Sequence, residues 1–166
     1  MILNIDAVNN YAPYKVKHSV KEGFVVFTTD NGVTLMVGFS STNLITSDDA
    51  YEFVIINAEH KPSPRDTKVK ETIVAIVDEF FHSNNNTILY LCETGDGKQA
   101  LRNRLFQDWF TSYTLKNNYV FLSTTITDKE NTRNYATIIA RNDNPNLEAV
   151  IEEFYATIKL LSEKPE

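Results

Sequence analysis

The sequence predicts an α+β fold, in which a mixed β-sheet with an N-terminal antiparallel meander and βαβ crossovers packs against about three helices. Two observations predict it. Apolar and polar residues alternate along the first third of the chain, which is typical of half-buried strands. After Pro62, segments with helical spacing of apolar residues are separated by short apolar runs. At 166 residues, of which 42% are hydrophobic and 23% charged, the chain has the size of one domain, expected to span residues 1–166.

The clearest signal in the first third is a β-hairpin. Residues 24–29 and 33–39 both alternate, and Asn31-Gly32 between them is a preferred pair for a tight hairpin turn. One face of the second arm is therefore expected to meet the core; its residues are Val33, Leu35, Val37 and Phe39. Upstream, residues 14–21 predict an edge strand whose lysines guard its outer face. The inner residues of that strand would be Val16, His18 and Val20.

The next segments predict a strand and then a helix. Residues 51–57 are rich in β-branched side chains, which indicates a strand near the sheet centre. In the polar loop before them, Asp48-Asp49 is interpreted as a solvated turn. A helix start is predicted with Ser63 as the cap, Pro64 at the first helical position and Asp66 in the first turn. The inner stripe would be Val69, Ile73, Ile76, Val77 and Phe80, and the helix would end at residues 82–86.

Residues 87–92 form a short apolar run, which predicts a strand covered on both faces. A helical crossover between strands of one sheet makes a parallel pair, so this strand should lie parallel to residues 51–57. A second helix is predicted from Gly97 to about Tyr113. The residues expected on its inner side are Leu101, Leu105, Phe106, Trp109, Phe110 and Tyr113.

The last third predicts two strands and a helix. Residues 119–127 and 135–140 alternate, and the charged stretch 128–134 joins them. Asn144-Pro145 predicts the opening of the last helix. Its inner stripe would be Leu147, Val150, Ile151, Phe154, Tyr155, Ile158 and Leu161.

The junction between the strand at 87–92 and the second helix carries a functional signal, because open α/β sheets tend to bind ligands at the carboxyl ends of such strands. The first N–H groups of a helix attract anions, and Lys98 and Arg102 add positive charge. A phosphate or a carboxylate could therefore dock here. The predicted anion- or ligand-binding residues are Glu93, Asp96, Gly97, Lys98 and Arg102.

The same junction also fits a purely structural interpretation. Asp96 can cap the helix while Gln99, three residues later, completes a capping box. The spacing of Gly95 and Gly97 does not match a phosphate-binding P-loop, and Gln99 stands in place of its hydroxyl residue. Glu93 and Asp96 could act as an acid–base pair, but two carboxylates alone define no reaction.

The other reactive side chains predict no catalytic residue, no metal site and no cofactor. Cys92 could be a nucleophile with His60 or His82 as its base, but such a cysteine is more often a small buried hydrophobe. His18, His60 and His82 are widely separated and have no cysteine or carboxylate at ligand spacing.

Several blocks of the sequence together carry a resemblance to a known family. They are Ile88–Cys92, Asp96-Gly97-Lys98, Arg102, Arg104–Phe106 and Trp109-Phe110, with Phe27–Gly32 and Pro64-Arg65 upstream. In these blocks the chain resembles a family of small uncharacterised proteins found mostly in the Bacteroidota, a domain of unknown function. The resemblance covers most of the chain and implies no activity. An Asp after the Cys and a Ser before Asp-Gly are common in that family, and Glu93 and Gly95 depart from this pattern.

The charge balance limits the partners. Sixteen basic residues against twenty-two acidic ones give a net charge of −6, which argues against nucleic-acid binding. The longest apolar runs are far shorter than the about twenty residues that cross a membrane. With no export signal at its first residues and one cysteine, the chain is expected to be cytoplasmic.

These features favour a non-enzymatic binding or interaction module, in which one face or edge of the sheet meets a protein, or residues 93–98 recognise a small anionic ligand. The alternative is an enzyme that acts on a phosphorylated or carboxylated small molecule. Lys98 and Arg102 would hold the anion, and Glu93 or Asp96 would move a proton. The oligomeric state does not follow from the sequence.

Overall fold

The computed structural model describes residues 1–92 and 96–163. Within these ranges the chain forms seven strands and four α-helices. The strands are β1 (Lys17–His18), β2 (Phe24–Thr28), β3 (Thr34–Ser41), β4 (Tyr51–Asn57), β5 (Ile88–Cys92), β6 (Tyr119–Thr127) and β7 (Arg133–Arg141). The helices are α1 (Ile5–Asn9), α2 (Thr67–Ser83), α3 (Gln99–Thr111) and α4 (Leu147–Ser162), and a 3-10 turn covers Lys116–Asn118.

In the described part of the chain the strands form one mixed sheet in the order β1-β2-β3-β4-β5-β7-β6, which confirms the predicted α+β fold class. Antiparallel pairing joins β1 to β2 and β2 to β3, as the meander requires. β4 and β5 are parallel, as predicted, because α2 crosses over between them. β7 lies between β5 and β6 and is antiparallel to both.

Contacts divide the chain into two compact units, one of Met1–Ser40 with Phe53–Asn85 and the other of Ser41–Glu52 with Asn86–Glu166. The first unit contains the predicted hairpin. Gly32 adopts φ +75° at the turn, a conformation that glycine takes without strain. The four residues predicted to share the core face of the second arm are all buried. On α2, Phe80 stacks on Phe39 with ring centroids 4.6 Å apart, which joins the helix to this face.

The start of α2 differs from the prediction. Asp66 is the N-cap, and its carboxylate accepts hydrogen bonds from the Lys68 N–H at 2.8 Å and from the Tyr14 hydroxyl at 2.6 Å. Ser63 and Pro64 therefore lie before the helix. A hydroxyl from a distant segment fixes Asp66 in the cap position, and no local pattern contains that contact.

Two other elements of the first unit differ from the predictions. The edge strand β1 has two residues, and of its predicted inner side chains only Val16 is buried, while Val20 is fully exposed. The helix α1 was not predicted, because five residues are too few for a helical period. Its N-cap is Asn4, whose side chain accepts a hydrogen bond from the Ala7 N–H at 3.1 Å.

In the second unit, α4 covers one face of the sheet. Val150 and Phe154 are buried against a cluster formed by Ile45, Ala50, Leu89, Ala136 and Ile138. Two details of the prediction were wrong. The helix begins at Leu147 and not at Pro145, and the Asn144 side chain accepts a hydrogen bond from the Asn146 N–H before the helix. Tyr155 is 51% exposed instead of facing inward.

The predicted inward face of α3 is right for Phe106 and Phe110, which contact Tyr90 and Phe121, and wrong for its two leucines. Leu101 and Leu105 are 61% and 40% exposed, while Asn103 and Phe106 are buried. The Asn103 side chain accepts a hydrogen bond from the Ser123 hydroxyl, which accounts for a polar residue on this face.

The prediction that Asp48 lies in a solvated turn is wrong. The Asp48 carboxylate accepts hydrogen bonds from the Thr87 N–H, the Thr87 hydroxyl and the Asn144 amide at 2.9, 2.8 and 3.0 Å. Thr87 and Asn144 are buried, so Asp48 is the partner of polar groups that water does not reach freely. Asp48 therefore holds the loop before β4 against the starts of β5 and α4.

A second carboxylate, that of Glu153 on α4, holds the same loop. It accepts four hydrogen bonds of 2.6 to 2.8 Å, from the N–H and hydroxyl groups of both Thr46 and Ser47. Desolvation raises the pKa of Glu153, but these hydrogen bonds outweigh it and lower the pKa to about 2. The ionised form of Glu153 is therefore favoured in the folded protein.

We expect Glu153→Gln to lower the free energy of unfolding by about 1–2 kcal/mol at neutral pH, a value discounted for the partial exposure of the contact. The folded pKa of Glu153 lies below its ordinary value, so its contribution is complete above about pH 4.5 and is lost as the pH falls toward 2. Urea unfolding of the wild type and of Glu153→Gln at several pH values measures the difference in their free energies of unfolding. Glu71→Gln, at an exposed glutamate of α2, is the control, and a pH-independent difference would contradict the assignment.

Candidate functional site

The residues just before α3 and its first turn include four of the five residues predicted to bind an anion: Asp96, Gly97, Lys98 and Arg102. The Asp96 carboxylate accepts hydrogen bonds from the Lys98 N–H at 3.0 Å and from one Arg102 nitrogen at 2.8 and 2.9 Å. Gly97 between them adopts φ +71°. The hydrogen bond from the Lys98 backbone and the Arg102 guanidinium lower the pKa of Asp96. Glu93 lies outside the described residues.

This arrangement differs from the predicted capping box. Lys98 is the N-cap of α3 and makes no side-chain capping hydrogen bond, and the Gln99 amide donates to the Arg133 carbonyl at 3.1 Å. Asp96 stabilises the preceding turn instead of the first turn of the helix. An anion at this nitrogen of Arg102 would compete with the Asp96 carboxylate, and the anion-binding role of these residues stays a prediction.

Cys92 and Tyr90 lie side by side on the face of β5 that α3 covers. Both side chains are buried, and Tyr90 contacts Phe106 with ring centroids 4.4 Å apart. Burial raises the pKa of the Cys92 thiol, although a hydrogen bond with Tyr90 and the charge of Arg102 act in the opposite direction. A protonated, buried thiol is a poor nucleophile, which favours the structural interpretation of Cys92.

A line of polar side chains continues from this face toward the sheet edge. The Thr137 hydroxyl donates to the Ser123 hydroxyl at 3.0 Å, and Ser123 donates to the Asn103 side chain at 3.4 Å. Next to this line, Phe121 stacks on Phe110 with ring centroids 4.3 Å apart. These contacts fix β6 to α3, and sequence reasoning missed the role of Asn103.

β6 itself is the most unusual element of the second unit. It ends the sheet, so the backbone groups that point away from β7 face no further strand among the described residues. We call this side of Tyr119–Thr127 the open edge. The strand pairs with β7 over all nine residues in one register, without a bulge, and it contains no charged residue, glycine or proline. β1, at the other end of the sheet, has two residues and carries Lys17.

α4 packs over β6 and β7 and has two different flanks. On one flank, Glu153 and the Thr157 hydroxyl bind the loop before β4. The opposite flank lies on the side where the sheet ends with β6. It carries four exposed residues spaced so that they line up along the helix, which we call the α4 edge stripe: Glu148, Glu152, Tyr155 and Lys159.

Across residues 1–92 and 96–163, no group of three or more His, Cys, Asp or Glu side chains is placed to hold a metal ion. None of the helices in these ranges combines the length and hydropathy that a membrane crossing requires.

Comparison with protein families identifies the family of this chain. No curated protein and no solved structure matches the chain. A model of a family of unknown function, DUF6169, matches residues 65–156, which is more than half of the chain and extends from the start of α2 into α4. The resemblance predicted from the sequence is thus confirmed at the level of a family without a known function. The chain belongs to the DUF6169 family.

Proposed function

We propose that this protein is a non-enzymatic interaction module whose open edge pairs with an extended segment of a protein partner. The observation that carries the proposal is β6, a nine-residue strand that ends the sheet without a charge, a proline or a bulge. Proteins usually protect an edge strand with one of these devices, and an unprotected edge is a template for another strand. A cytoplasmic location and an origin in the Bacteroidota are part of the same proposal.

The side chains of β6 support such pairing on both faces of the sheet. Phe121 lies on the α3 face, and Leu122 and Ile126 pack against the core under α4. All three are only partly buried, so a strand added at the open edge would remove further apolar surface from water. Main-chain hydrogen bonds would supply affinity, and these side chains would supply specificity.

Recognition of a small anion by residues 93–98, and the enzyme that would build on it, are the alternative. Both place a phosphate or carboxylate group at Arg102, where it would compete with the Asp96 carboxylate. Under this alternative, inorganic phosphate should raise the melting temperature, and Arg102→Ala should abolish the rise. The interaction module predicts no such stabilisation.

A matched pair of proline variants can block the open edge. Consecutive residues of a strand direct their N–H groups to opposite edges, so Thr124→Pro and Thr125→Pro remove N–H groups from opposite sides of β6. One substitution breaks a hydrogen bond to β7 and should lower the melting temperature by several degrees. The other substitution removes an N–H group that points away from β7 and should leave the fold nearly as stable as the wild type. We call the variant that keeps the melting temperature close to that of the wild type the edge-blocked variant.

Photo-crosslinking in cells of the native host tests the proposal. A benzoylphenylalanine at the exposed position Thr127 is expected to form adducts with a partner protein, and the edge-blocked variant is expected to lose them. The same residue at Lys17, on β1 at the other end of the sheet, is the control. Adducts that persist in the edge-blocked variant, or a failure to form any at Thr127, would contradict the proposal.

A further inference from the structure

We infer that the partner of the open edge is a second copy of this chain, paired β6 to β6 in antiparallel orientation around a two-fold axis at Ser123. The inference rests on the proposed function, because it names the partner of the same edge. Two-fold interfaces use one surface patch on both subunits, so that patch must be complementary to itself. Three properties of the open edge and of the α4 edge stripe meet this requirement.

The first property is the register. Ser123 is the central residue of the nine in β6, so an axis at Ser123 places Tyr119 opposite Thr127 of the partner subunit and pairs all nine residues. Any other antiparallel register would pair fewer. Residues of the same face then lie opposite one another, and the seven strands of each copy would continue into one sheet.

The second property is the set of side-chain pairs in this register. Leu122 would face Thr124 of the partner subunit, and Val120 would face Ile126 of the partner subunit. On the α3 face, Phe121 would face Thr125 of the partner subunit. Apolar and β-branched pairs of this kind stabilise antiparallel strands by about 0.2–1 kcal/mol each. No charged side chains of the two strands face each other, because β6 contains none.

The third property is the charge order along the α4 edge stripe. Glu148 and Glu152 precede Tyr155, and Lys159 follows it. A two-fold axis that passes beside Tyr155 sets the two stripes antiparallel. Glu152 would then approach Lys159 of the partner subunit, and Lys159 would approach Glu152 of the partner subunit. The same stripe places the half-exposed Tyr155 ring at the centre, where the second copy would cover it.

Charge exchange on the α4 edge stripe tests the dimer without touching the core, since both residues are exposed. We expect the wild type to sediment as a dimer in the micromolar range. Glu152→Lys and Lys159→Glu should each weaken the dimer about tenfold, because each places like charges together twice. The double variant should restore the wild-type affinity. Equal weakening by the double variant would overturn the predicted contact.

Disulfide trapping tests the register. Ser123→Cys is expected to form an interchain disulfide on mild oxidation, because the two Cα atoms would lie within the 4.4–6.8 Å that a disulfide spans. Thr125→Cys would lie opposite Phe121 of the partner subunit and should not crosslink. The wild type controls for Cys92, which is buried. Crosslinking of Thr125→Cys in preference to Ser123→Cys would overturn the register.

The outcomes separate this inference from the proposed function. A wild type that stays monomeric in the micromolar range overturns self-pairing. If Thr127 adducts with a different protein are then lost in the edge-blocked variant, the interaction module stands with another partner. If adducts at Thr127 persist in that variant, the open edge is not the binding surface and both proposals fall.

Discussion

Replacing Gly38 with alanine is expected to lower the free energy of unfolding by about 3 kcal/mol, at the upper end of overpacking substitutions. Gly38 pairs with Phe24 across β3 and β2, and the buried Phe24 ring lies over the glycine. A Cβ at Gly38 would overlap carbons of this ring. The ring is 5% exposed and also contacts the Lys21 ammonium group, 4.2 Å from the ring centroid, so close packing limits its retreat.

Chemical denaturation of the variant measures this loss, and Phe24→Leu provides a matched test of its cause. The smaller side chain removes the ring that the new methyl group meets. Phe24→Leu in the Gly38→Ala background should therefore destabilise by clearly less than the sum of the two single substitutions, with a coupling of about 1 kcal/mol or more. Additive losses would show that the overlap is not the cause.

Replacing Asp48 with alanine is expected to lower the free energy of unfolding by about 2–3 kcal/mol. The change leaves the Thr87 N–H, the Thr87 hydroxyl and the Asn144 amide without their carboxylate partner. Thr87 is fully buried and Asn144 nearly so, and unsatisfied polar groups in such places are costly.

Thermal and urea unfolding measure the Asp48 effect, with Asp49→Ala as the control at the exposed neighbouring residue. The control should change the free energy of unfolding by no more than about 0.5 kcal/mol. Asp48→Asn should fall between the two, because an amide keeps one acceptor oxygen. Equal losses in the free energy of unfolding for Asp48→Ala and Asp49→Ala would mean that Asp48 lies in a solvated turn, as the sequence predicts.

The predictions from sequence succeed where local chemistry decides the structure. Asn31-Gly32 and the alternating arms around it define the β2–β3 hairpin, and the helical crossover of α2 makes β4 and β5 parallel. The hairpin depends on neighbouring residues, and the parallel pair depends on the type of connection, although its partners Tyr51 and Ile88 are far apart in the chain. Both signals are present in the sequence.

The predictions fail where a distant group decides. Leu101 and Leu105 have the apolar character of an inner stripe, but the polar Asn103 takes the inner face because Ser123 offers it a hydrogen bond. Asp48 lies in a polar loop, yet its carboxylate is the partner of buried groups, since Thr87 and Asn144 come to it from other elements. Burial of polar groups depends on partners that composition and periodicity do not identify.

The candidate site shows the same division. Asp96 and Arg102 were both among the predicted anion-binding residues, and the structure brings them together as partners of each other. The open edge was not predicted, because the sequence does not give the strand order, and only that order shows that β6 ends the sheet. The residues of β7 are more fully buried than those of β6, and this difference follows from their positions.

The strand order has a consequence for how the chain reaches its fold. β7 is synthesised after β6 but occupies the place beside β5, so β6 cannot join the sheet until the nascent chain extends through Arg141. The tight turn between them is closed by Asp128, whose N–H donates to the Thr132 carbonyl at 3.0 Å, and such hairpins form within microseconds. We expect the last two strands to dock onto β5 as a preformed pair, with β7, the strand synthesised later, making the contact.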